Sequence, residues 1–354
     1  MKVLAFTKYG SLAASTRQRV LQYVPYLEQA GMTVESHALL DNDYVQSLAT
    51  GKPYSKTRVI RSYVNRLQHL MRHGDADVLW VYAELFPYLP AWFERLAFRQ
   101  GKPVVYDFDD AFFHQYDANP NPAVRRALAG KLEPLLRGAA ACCCGNAYLR
   151  DYASRFCERT LIVPTAVDSD RYRPSPRAAD RQVTIGWIGS PSTFGYLDFL
   201  IPLLRELVST HDVRIHVVGA GAAGAGTSFP GLKLIDWTEA SEVESIQKMD
   251  IGIMPLPDEL WARGKSGYKL IQYMACGLPV VASPVGVNGS MVEHGFNGYL
   301  ARTPEEWRVA LLLLLEDKDR RRRMGVNGRE RFVERYSLRS QAPRIVELFS
   351  AVGR

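Results

Sequence analysis

Hydrophobic positions along the chain alternate between short runs rich in β-branched residues and longer segments in which apolar side chains recur with helical spacing. This alternation is typical of parallel strands joined by crossover helices. In the first half the predicted strands are Val3–Phe6, Val34–Ala38, Val78–Tyr82, Val104–Asp107, Ala140–Cys144 and Leu161–Val163. A second series consists of Val183–Ile188, Val213–Val218, Leu232–Ile235, Ile251–Met254, Pro279–Ala282 and Gly298–Leu300. The pattern therefore predicts an α/β protein with two doubly wound, Rossmann-like domains.

A proline-punctuated polar stretch that contains Pro174 and Pro176 separates the two series and is typical of an interdomain linker. We therefore predict a first domain over residues 1–170, a linker over 171–181 and a second domain over 182–340. The last residues, 341–354, contain apolar positions after Pro343 that predict a short amphipathic helix, which we expect to pack back on the first domain. A length of 354 residues suits two domains.

The amino-acid composition is that of an ordinary globular protein. Hydrophobic residues make up 47% and charged residues 23% of the chain, which excludes disordered and collagen-like proteins. The longest apolar run, near Val309–Leu315, is too short to span a bilayer, and the first residues lack the pattern of a secretory signal. We expect a cytoplasmic protein. The five cysteines, three of them consecutive at 142–144, are predicted to be free buried thiols of a reducing compartment.

The net charge of +7 comes almost entirely from one stretch, because residues 52–73 carry six Lys or Arg and no carboxylate. Apolar residues between Lys56 and Arg72 recur with helical spacing. One interpretation is an ordinary domain helix packed on its own sheet. The other adds docking on an anionic membrane surface, on the inner face of the cytoplasmic membrane, or on a phosphate-bearing, lipid-linked acceptor. The basic run at 320–323 is interpreted as a solvated helix face, and no motif predicts nucleic-acid binding.

Ligands of open parallel sheets bind just past the carboxyl ends of strands, and the most specific such stretch is residues 263–283. It predicts a glycine-containing loop, a helix, a glycine stop and a buried strand. Ser266 suits a helix N-cap, and the N–H groups of Ser266, Gly267 and Tyr268 would then form an anion site suited to a diphosphate. Lys265 and Lys269 flank this site, and the amide of Gln272 on the same helical face could hold ribose hydroxyls. The alternative is an ordinary βαβ turn with surface lysines.

This stretch resembles the donor-site signature of the retaining family 4 glycosyltransferases, enzymes of the GT-B fold, through Met274–Gly277 and Pro279–Ser283. Weaker similarity extends over most of the chain, including Pro164–Asp168 and Gly186–Ser192. The resemblance implies two domains that face a cleft, with a nucleoside diphosphate sugar (UDP- or GDP-linked) in the second and a glycan, lipid-linked or small-molecule acceptor in the first. It also implies transfer with retention, no metal ion and no cofactor, and a place in cell-envelope polysaccharide or glycoconjugate synthesis.

Two departures from the family pattern concern its glutamates. The second, expected on ribose hydroxyls, falls on Gln272, and the first, expected near the donor sugar, falls on Gly264. In many members the loop after the first donor-domain strand carries an arginine and a lysine for the diphosphate. The loop here contains Gly189, Ser190 and Ser192, which we predict to contact the donor, so that Lys265 becomes the candidate cation.

The first domain offers two groups of candidates. Gly10, Ser11, Arg17 and Arg19 follow the first strand and open a helix, and by position in GT-B enzymes they are predicted to bind the acceptor. Two arginines in a first helical turn oppose the helix dipole, which an anionic ligand would relieve. Surface arginines without a ligand are the alternative.

Asp107 and Asp109 lie just past the fourth strand, with Asp110 next to them. Many family relatives have a His-Asp pair near this place, so we predict Asp107 and Asp109 as catalytic residues. Lys265 is the third, as the cation that neutralises the leaving diphosphate. One of the aspartates could instead cap the next helix. Asp107-Phe108-Asp109 also matches the Asp-x-Asp metal motif of GT-A glycosyltransferases, although the second βα series opposes that fold.

Two other functions remain open from the sequence. A nucleotide-sugar epimerase or hydrolase of the same fold would need no acceptor, and a non-catalytic two-domain sugar-binding protein would bind free sugars.

Overall fold

The computed structural model describes residues 1–72, 74–176 and 182–353. The chain divides into two compact units, of which the first contains residues 1–165, 264–266 and 341–354 and the second residues 166–263 and 267–340. The predicted linker falls partly outside the described residues, since 177–181 are not among them, and so does residue 73 of the basic stretch.

The first unit contains a six-stranded sheet, all of whose pairs are parallel, in the order β2-β1-β3-β4-β5-β6. Its strands are β1 Lys2–Tyr9, β2 Thr33–Leu40, β3 Val78–Tyr82, β4 Val104–Phe108, β5 Ala141–Cys144 and β6 Thr160–Ile162. The α-helices are α1 Ala14–Arg19, α2 Val24–Gln29, α3 Asn42–Thr50, α4 Lys56–Arg72, α5 His114–Asp117, α6 Pro122–Leu128, α7 Glu133–Gly138 and α8 Ala147–Ala153. Short 3-10 helices span Leu21–Tyr23 and Ala91–Phe98.

The second unit also contains a six-stranded parallel sheet, in the order β12-β11-β10-β7-β8-β9. Its strands are β7 Val183–Ile188, β8 Val213–Val218, β9 Leu232–Ile235, β10 Ile251–Met254, β11 Val280–Ala282 and β12 Gly298–Leu300. The helices are α9 Pro191–Phe194, α10 Ile201–Thr210, α11 Glu242–Gln247, α12 Leu260–Arg263, α13 Tyr268–Ala275, α14 Asn288–Met291, α15 Pro304–Glu316 and α16 Lys318–Arg335. Further 3-10 helices span Gly195–Leu200 and Gly221–Gly224.

Both sheets confirm the predicted fold class. Each predicted strand is present, and most bounds agree within one residue, although β1 and β2 extend further than their apolar runs. The strand order of the second sheet is that of the dinucleotide-binding Rossmann fold, with its switch point between β7 and β10. In the first sheet the switch point lies between β1 and β3.

The terminal helix α17, Leu338–Val352, begins before Pro343 and contains it, so the helix is longer than the sequence indicated. Its residues from 341 onward belong to the first unit, where the rings of Phe349 and Trp80 lie 4.9 Å apart. The five cysteines are buried free thiols, as predicted. No helix in the described ranges is both long and apolar enough to cross a membrane.

Candidate functional site

Arg19 and Asp107 form a buried ion pair inside the first unit. The Arg19 guanidinium donates from Nε at 3.0 Å and Nη2 at 2.6 Å to Oδ1 of Asp107, and from Nη1 to the carbonyl of Val163. The Trp80 indole N–H donates to the other carboxylate oxygen at 3.3 Å. Burial raises the pKa of Asp107 to about 6 although Arg19 opposes this, so the carboxyl is still ionised at neutral pH.

The positions of Arg19 and Asp107 do not suit the roles predicted for them. Both are fully buried, whereas an acceptor-binding arginine and a catalytic aspartate must reach the substrate. The sequence predicted Arg19 in the first turn of a helix, but this residue is the last of the short helix α1 and is buried. We therefore propose that this pair stabilises the first unit.

Asp109 and Asp110 lie nearer the surface at the carboxyl end of β4. Asp109 is 9% exposed and accepts a hydrogen bond of 2.7 Å from Tyr82 Oη. Asp110, which was not selected as a site residue, lies 3.5 Å from Nζ of Lys265, and both side chains are partly exposed. Of the three predicted catalytic residues, Lys265 is therefore close to the acidic cluster through Asp110.

The segment 264–266 belongs to the first unit, and the side chain of Asn146 binds its backbone. Asn146 donates from Nδ2 to the carbonyls of Gly264 and Lys265, both at 3.0 Å, while its Oδ1 caps α8. Gly264 lies against Ala111 so closely that a Cβ would come within 2.8 Å of the Ala111 backbone nitrogen. A glutamate at position 264 would therefore not fit, which explains the glycine at this position of the motif.

Several polar groups of the loop after β1 are hydrogen-bonded by nearby side chains. Asn42 donates to Ser11 Oγ at 3.0 Å and approaches Gly10 so closely that a Cβ there would clash with its side chain. Arg17 donates to the carbonyls of Ser11 and Leu12. Gly10 and Ser11 of this loop and Arg17 of α1 are thus brought together.

A buried carboxylate that the sequence analysis missed lies at the switch point of the first sheet. Glu84 follows β3, accepts a hydrogen bond of 2.5 Å from Tyr116 Oη and has Lys8 Nζ at 3.8 Å, while its Oε2 has no hydrogen-bond partner in the described part of the chain. Burial raises the pKa of Glu84 above its usual value. The preceding Ala83 has φ +66°, a strained conformation that clusters at functional sites.

In the second unit, three loops converge at the carboxyl ends of β7, β8 and β9. A Cβ on Gly219 would lie 2.2 Å from the carbonyl oxygen of Gly189 and 3.2 Å from Cβ of Trp237, so the glycine permits this approach. Ser190 caps α9, with its hydroxyl 2.9 Å from that of Ser192. The predicted donor residues Gly189, Ser190 and Ser192 therefore lie together at the end of β7.

Helix α13 begins one residue later than the motif suggested. The predicted N-cap Ser266 is wrong, because the N-cap is Gly267, in the left-handed region at φ +69°, and no side chain caps the helix. The first-turn N–H groups, which have no intrahelical acceptor, start at Tyr268. Lys269 Nζ lies 5.3 Å from the ring centroid of Trp187, and α13 is fixed to β7 through Tyr273, whose hydroxyl accepts from the N–H of Ile188.

Gln272 is buried in a polar network that the sequence did not reveal. Its Nε2 donates to Tyr172 Oη at 3.4 Å, and this hydroxyl donates to Oε1 of Glu242. The Trp237 indole N–H donates to Oε2 of the same carboxylate at 2.6 Å, and Tyr268 Oη lies 3.5 Å from Tyr172 Oη. The network joins the start of α13 to the loop after β9 and includes a carboxylate that the motif position 272 lacks.

Within the described ranges, no group of three or more His, Cys, Asp or Glu side chains is arranged to hold a metal ion. Asp107 of the Asp-x-Asp motif forms an ion pair with Arg19.

The match to a known protein family lies in the second unit. Residues 182–317 match the family model for glycosyl transferases group 1. A D-inositol 3-phosphate glycosyltransferase of Nocardia farcinica is 29% identical over 199 residues, which cover 48% of this chain and 43% of the relative. An N-acetyl-alpha-D-glucosaminyl L-malate synthase of Bacillus anthracis is 35% identical over 72 residues, 20% of this chain and 19% of the relative. The chain thus matches less than half the length of these curated relatives.

Solved structures match over nearly the whole chain. Anabaena HepE in complex with UDP-glucose superposes with a TM-score of 0.74 at 16% identity and covers 99% of this chain and 100% of its own. Sucrose-phosphate synthase from Thermosynechococcus elongatus gives a TM-score of 0.72 at 14% identity, covering 99% of both chains. At these identities the likeness shows the fold, which is that of the GT-B glycosyltransferases. The resemblance that the sequence motifs indicated is confirmed by the match of residues 182–317 to the glycosyl transferases group 1 model.

Proposed function

We propose that the protein is a glycosyltransferase that moves a sugar from a nucleoside diphosphate sugar to a hydroxyl group of a carbohydrate or lipid-linked acceptor. The observation that carries this proposal is the family match over 182–317 on a sheet of dinucleotide-binding order. The loops of Gly189, Gly219 and Trp237 meet at the carboxyl ends of its strands, where such sheets hold nucleotides.

The diphosphate of the donor is proposed to bind at the N-terminus of α13, where the helix dipole and the first-turn N–H groups attract an anion. Ser190 and Ser192 offer hydroxyl donors at the end of β7. The nucleoside is assigned to the network of Gln272, Tyr172 and Glu242, because its amide and carboxylate are suited to hydroxyl groups. HepE binds UDP-glucose, so UDP-sugars are the first donors to test.

The proposed mechanism is mainly electrostatic. As the bond between the sugar and the diphosphate breaks, negative charge grows on the leaving group, and N–H groups of α13 together with Lys265 stabilise it. This work needs no divalent ion, so we expect turnover to persist in EDTA. Front-face attack by the acceptor beside the leaving group would give retention, and Asp109 remains the candidate for contact with the reacting groups.

The acceptor is proposed to bind in the first unit, at the switch point between β1 and β3. The loop of Gly10 and Ser11 follows β1 and accepts a hydrogen bond from Arg17 of α1, and Lys8 with Glu84 provides a charged pair in the same unit. We assign the activity to cytoplasmic synthesis of envelope polysaccharide or glycoconjugates.

Nucleotide binding is the first test. Unfolding temperatures are measured with UDP, GDP, ADP, dTDP, CMP and free sugars. A rise with one nucleoside diphosphate supports the proposal, whereas a response to free sugars alone would favour a sugar-binding protein. Donor consumption is then measured with and without a candidate acceptor, because an epimerase or hydrolase would consume donor equally in both.

Lys265→Ala is the test of mechanism. Loss of a charge-assisted contact that strengthens in the transition state costs about 2–4 kcal/mol, which corresponds to a kcat reduced roughly 30- to 1000-fold. Lys248→Ala, which removes an exposed lysine paired with Glu244, is the matched control and should retain full turnover. Wild-type kcat for Lys265→Ala, or complete inactivation by EDTA that Mn²⁺ reverses, would contradict the mechanism.

A further inference from the structure

Helix α4 exposes large apolar side chains on its outer face. Ile60 is 65%, Val64 49% and Met71 60% exposed, and their spacing places them on one face of the helix. Leu70 and Arg66 lie on a different side of the helix and are buried. The helix therefore already packs on its own sheet through one face and leaves a second apolar stripe outside.

Basic side chains surround this stripe. Lys56, Arg61 and Arg72 are exposed, and Arg58 is exposed beside Asp43, 3.1 Å away. Arg66 does not contribute, because it donates to the carbonyls of Thr7 and His37 inside the fold, and burial lowers its pKa to about 9. The sequence analysis therefore included one charge, that of Arg66, that does not lie on this surface. Residues 52–73 still contain no carboxylate.

Two exposed aromatic residues lie on the segment that α4 contacts. Tyr63 of α4 donates to the carbonyl of Pro87 at 2.9 Å, and the neighbouring Tyr88 and Trp92 are 57% and 56% exposed. Tyr88 has φ +61°, an unfavourable conformation for a tyrosine, and its N–H donates to Tyr116 Oη. The backbone of Tyr88 is therefore strained although its side chain is exposed to solvent.

We propose that this face, formed by the outer side of α4 with Tyr88 and Trp92, docks on the surface of an anionic phospholipid bilayer. A helix with an apolar stripe between basic residues lies in the plane of the interface, with its stripe among the headgroups and its charges on lipid phosphates. Tyrosine and tryptophan favour the same boundary, because one end of each side chain is apolar and the other polar. This inference goes beyond the proposed reaction, since the surface would bind lipid whatever the donor is.

Vesicle flotation of the full chain tests the proposal without any turnover. Wild type is compared on phosphatidylcholine vesicles and on vesicles that also contain phosphatidylglycerol, at low and high salt. The charge variant is Lys56→Gln/Arg61→Gln/Arg72→Gln, and the apolar variant is Ile60→Ser/Val64→Ser/Met71→Ser. The matched control, Lys318→Gln/Arg322→Gln/Arg323→Gln, removes three exposed charges from α16.

Wild type should bind anionic vesicles at least tenfold more strongly than neutral ones, and high salt should weaken binding. Since each basic residue near an anionic leaflet strengthens binding about fivefold, the charge variant should bind about a hundredfold more weakly. The apolar variant should also lose binding, and the control should match wild type. The four proteins should have the same unfolding temperature as one another without nucleotide, and the same unfolding temperature as one another with nucleotide. This separates the test of lipid binding from that of the proposed function.

Three outcomes would overturn the proposal: no binding of wild type, equal binding to both vesicle types, or equal loss in the control. A wild-type dimer in light scattering that the apolar variant converts to monomer would assign the face to self-association instead. Binding to single-stranded RNA that the charge variant abolishes, without any binding to vesicles, would assign it to nucleic acid.

Discussion

The buried ion pair between Arg19 and Asp107 gives a prediction that separates its structural role from the catalytic one that the sequence suggested. Arg19→Met removes the cation and leaves the Asp107 carboxyl unpaired in a site that is 0% exposed, where Oδ1 loses two donors at 2.6 and 3.0 Å. Breaking a buried pair in this way costs about 3–5 kcal/mol. For a unit of this size that corresponds to a fall of roughly 6–20 °C in its unfolding temperature.

The cost should depend on pH in a defined direction. Burial raises the pKa of Asp107 to about 6, so the stability that this carboxyl contributes is present at low pH and is lost as pH rises through 6. Without Arg19 that pKa rises further, and the variant continues to lose stability above pH 6 after wild type has stopped. The stability difference should therefore be larger at pH 8 than at pH 5.

Calorimetry of three variants provides the assay. Arg17→Met, on the same helix, removes a partly exposed arginine that donates to loop carbonyls and should change stability by less than about 1 kcal/mol. Arg19→Met/Asp107→Leu should recover much of the loss, because no unpaired charge remains buried. If Arg19→Met unfolded like wild type at both pH values but lost transferase activity, the pair would be a substrate-binding group as first predicted.

Three further predictions follow from close contacts in the two units. Gly264→Ala should destabilise the first unit by about 1–3 kcal/mol in calorimetry, because its Cβ meets backbone atoms of Ala111, and wild-type stability would contradict this contact. Gln272→Glu should weaken nucleotide binding in calorimetric titration, because it adds a second carboxylate to the network of Glu242, although the family has glutamate at this position. Unchanged affinity would show that the network does not hold the nucleotide. Glu84→Gln should raise the unfolding temperature at pH 8 and lower kcat, because burial disfavours the ionised carboxyl; a fall in both would assign Glu84 to stability alone.

The strands were predictable because parallel strands covered on both faces must be apolar throughout. Val78–Tyr82 and Ile251–Met254 are buried at every position, and their predicted bounds agree with the structure. The polar ends of β1, from Thr7 to Tyr9, carry no such signal and were missed. Strand order could not be read from local pattern, so the switch point between β1 and β3, and with it Glu84, was not recognised.

The candidate site could be recognised in the sequence only where it is a short continuous segment. The loop and helix around Gly267 and Gln272 were located correctly, but the N-cap shifted by one residue because glycine can adopt the left-handed conformation that serine avoids. Arg19 and Asp107 are 88 positions apart, and nothing local to either shows that the other neutralises it in the core.

The departure at Gly264 shows why a motif position is not by itself a functional position. The glutamate that the family pattern expects near the donor sugar is absent from this position. The backbone of 264–266 instead lies against Ala111 and accepts two hydrogen bonds from Asn146, an arrangement that only a residue without a side chain permits at position 264. The same contacts fix the backbone of Lys265 and bring its ammonium within 3.5 Å of Asp110. The loss of a carboxylate and the position of the cation are therefore two consequences of one close backbone approach. Any carboxylate that acts beside Lys265 should be sought at Asp110, which the chain brings to it, rather than at the position where the motif would place it.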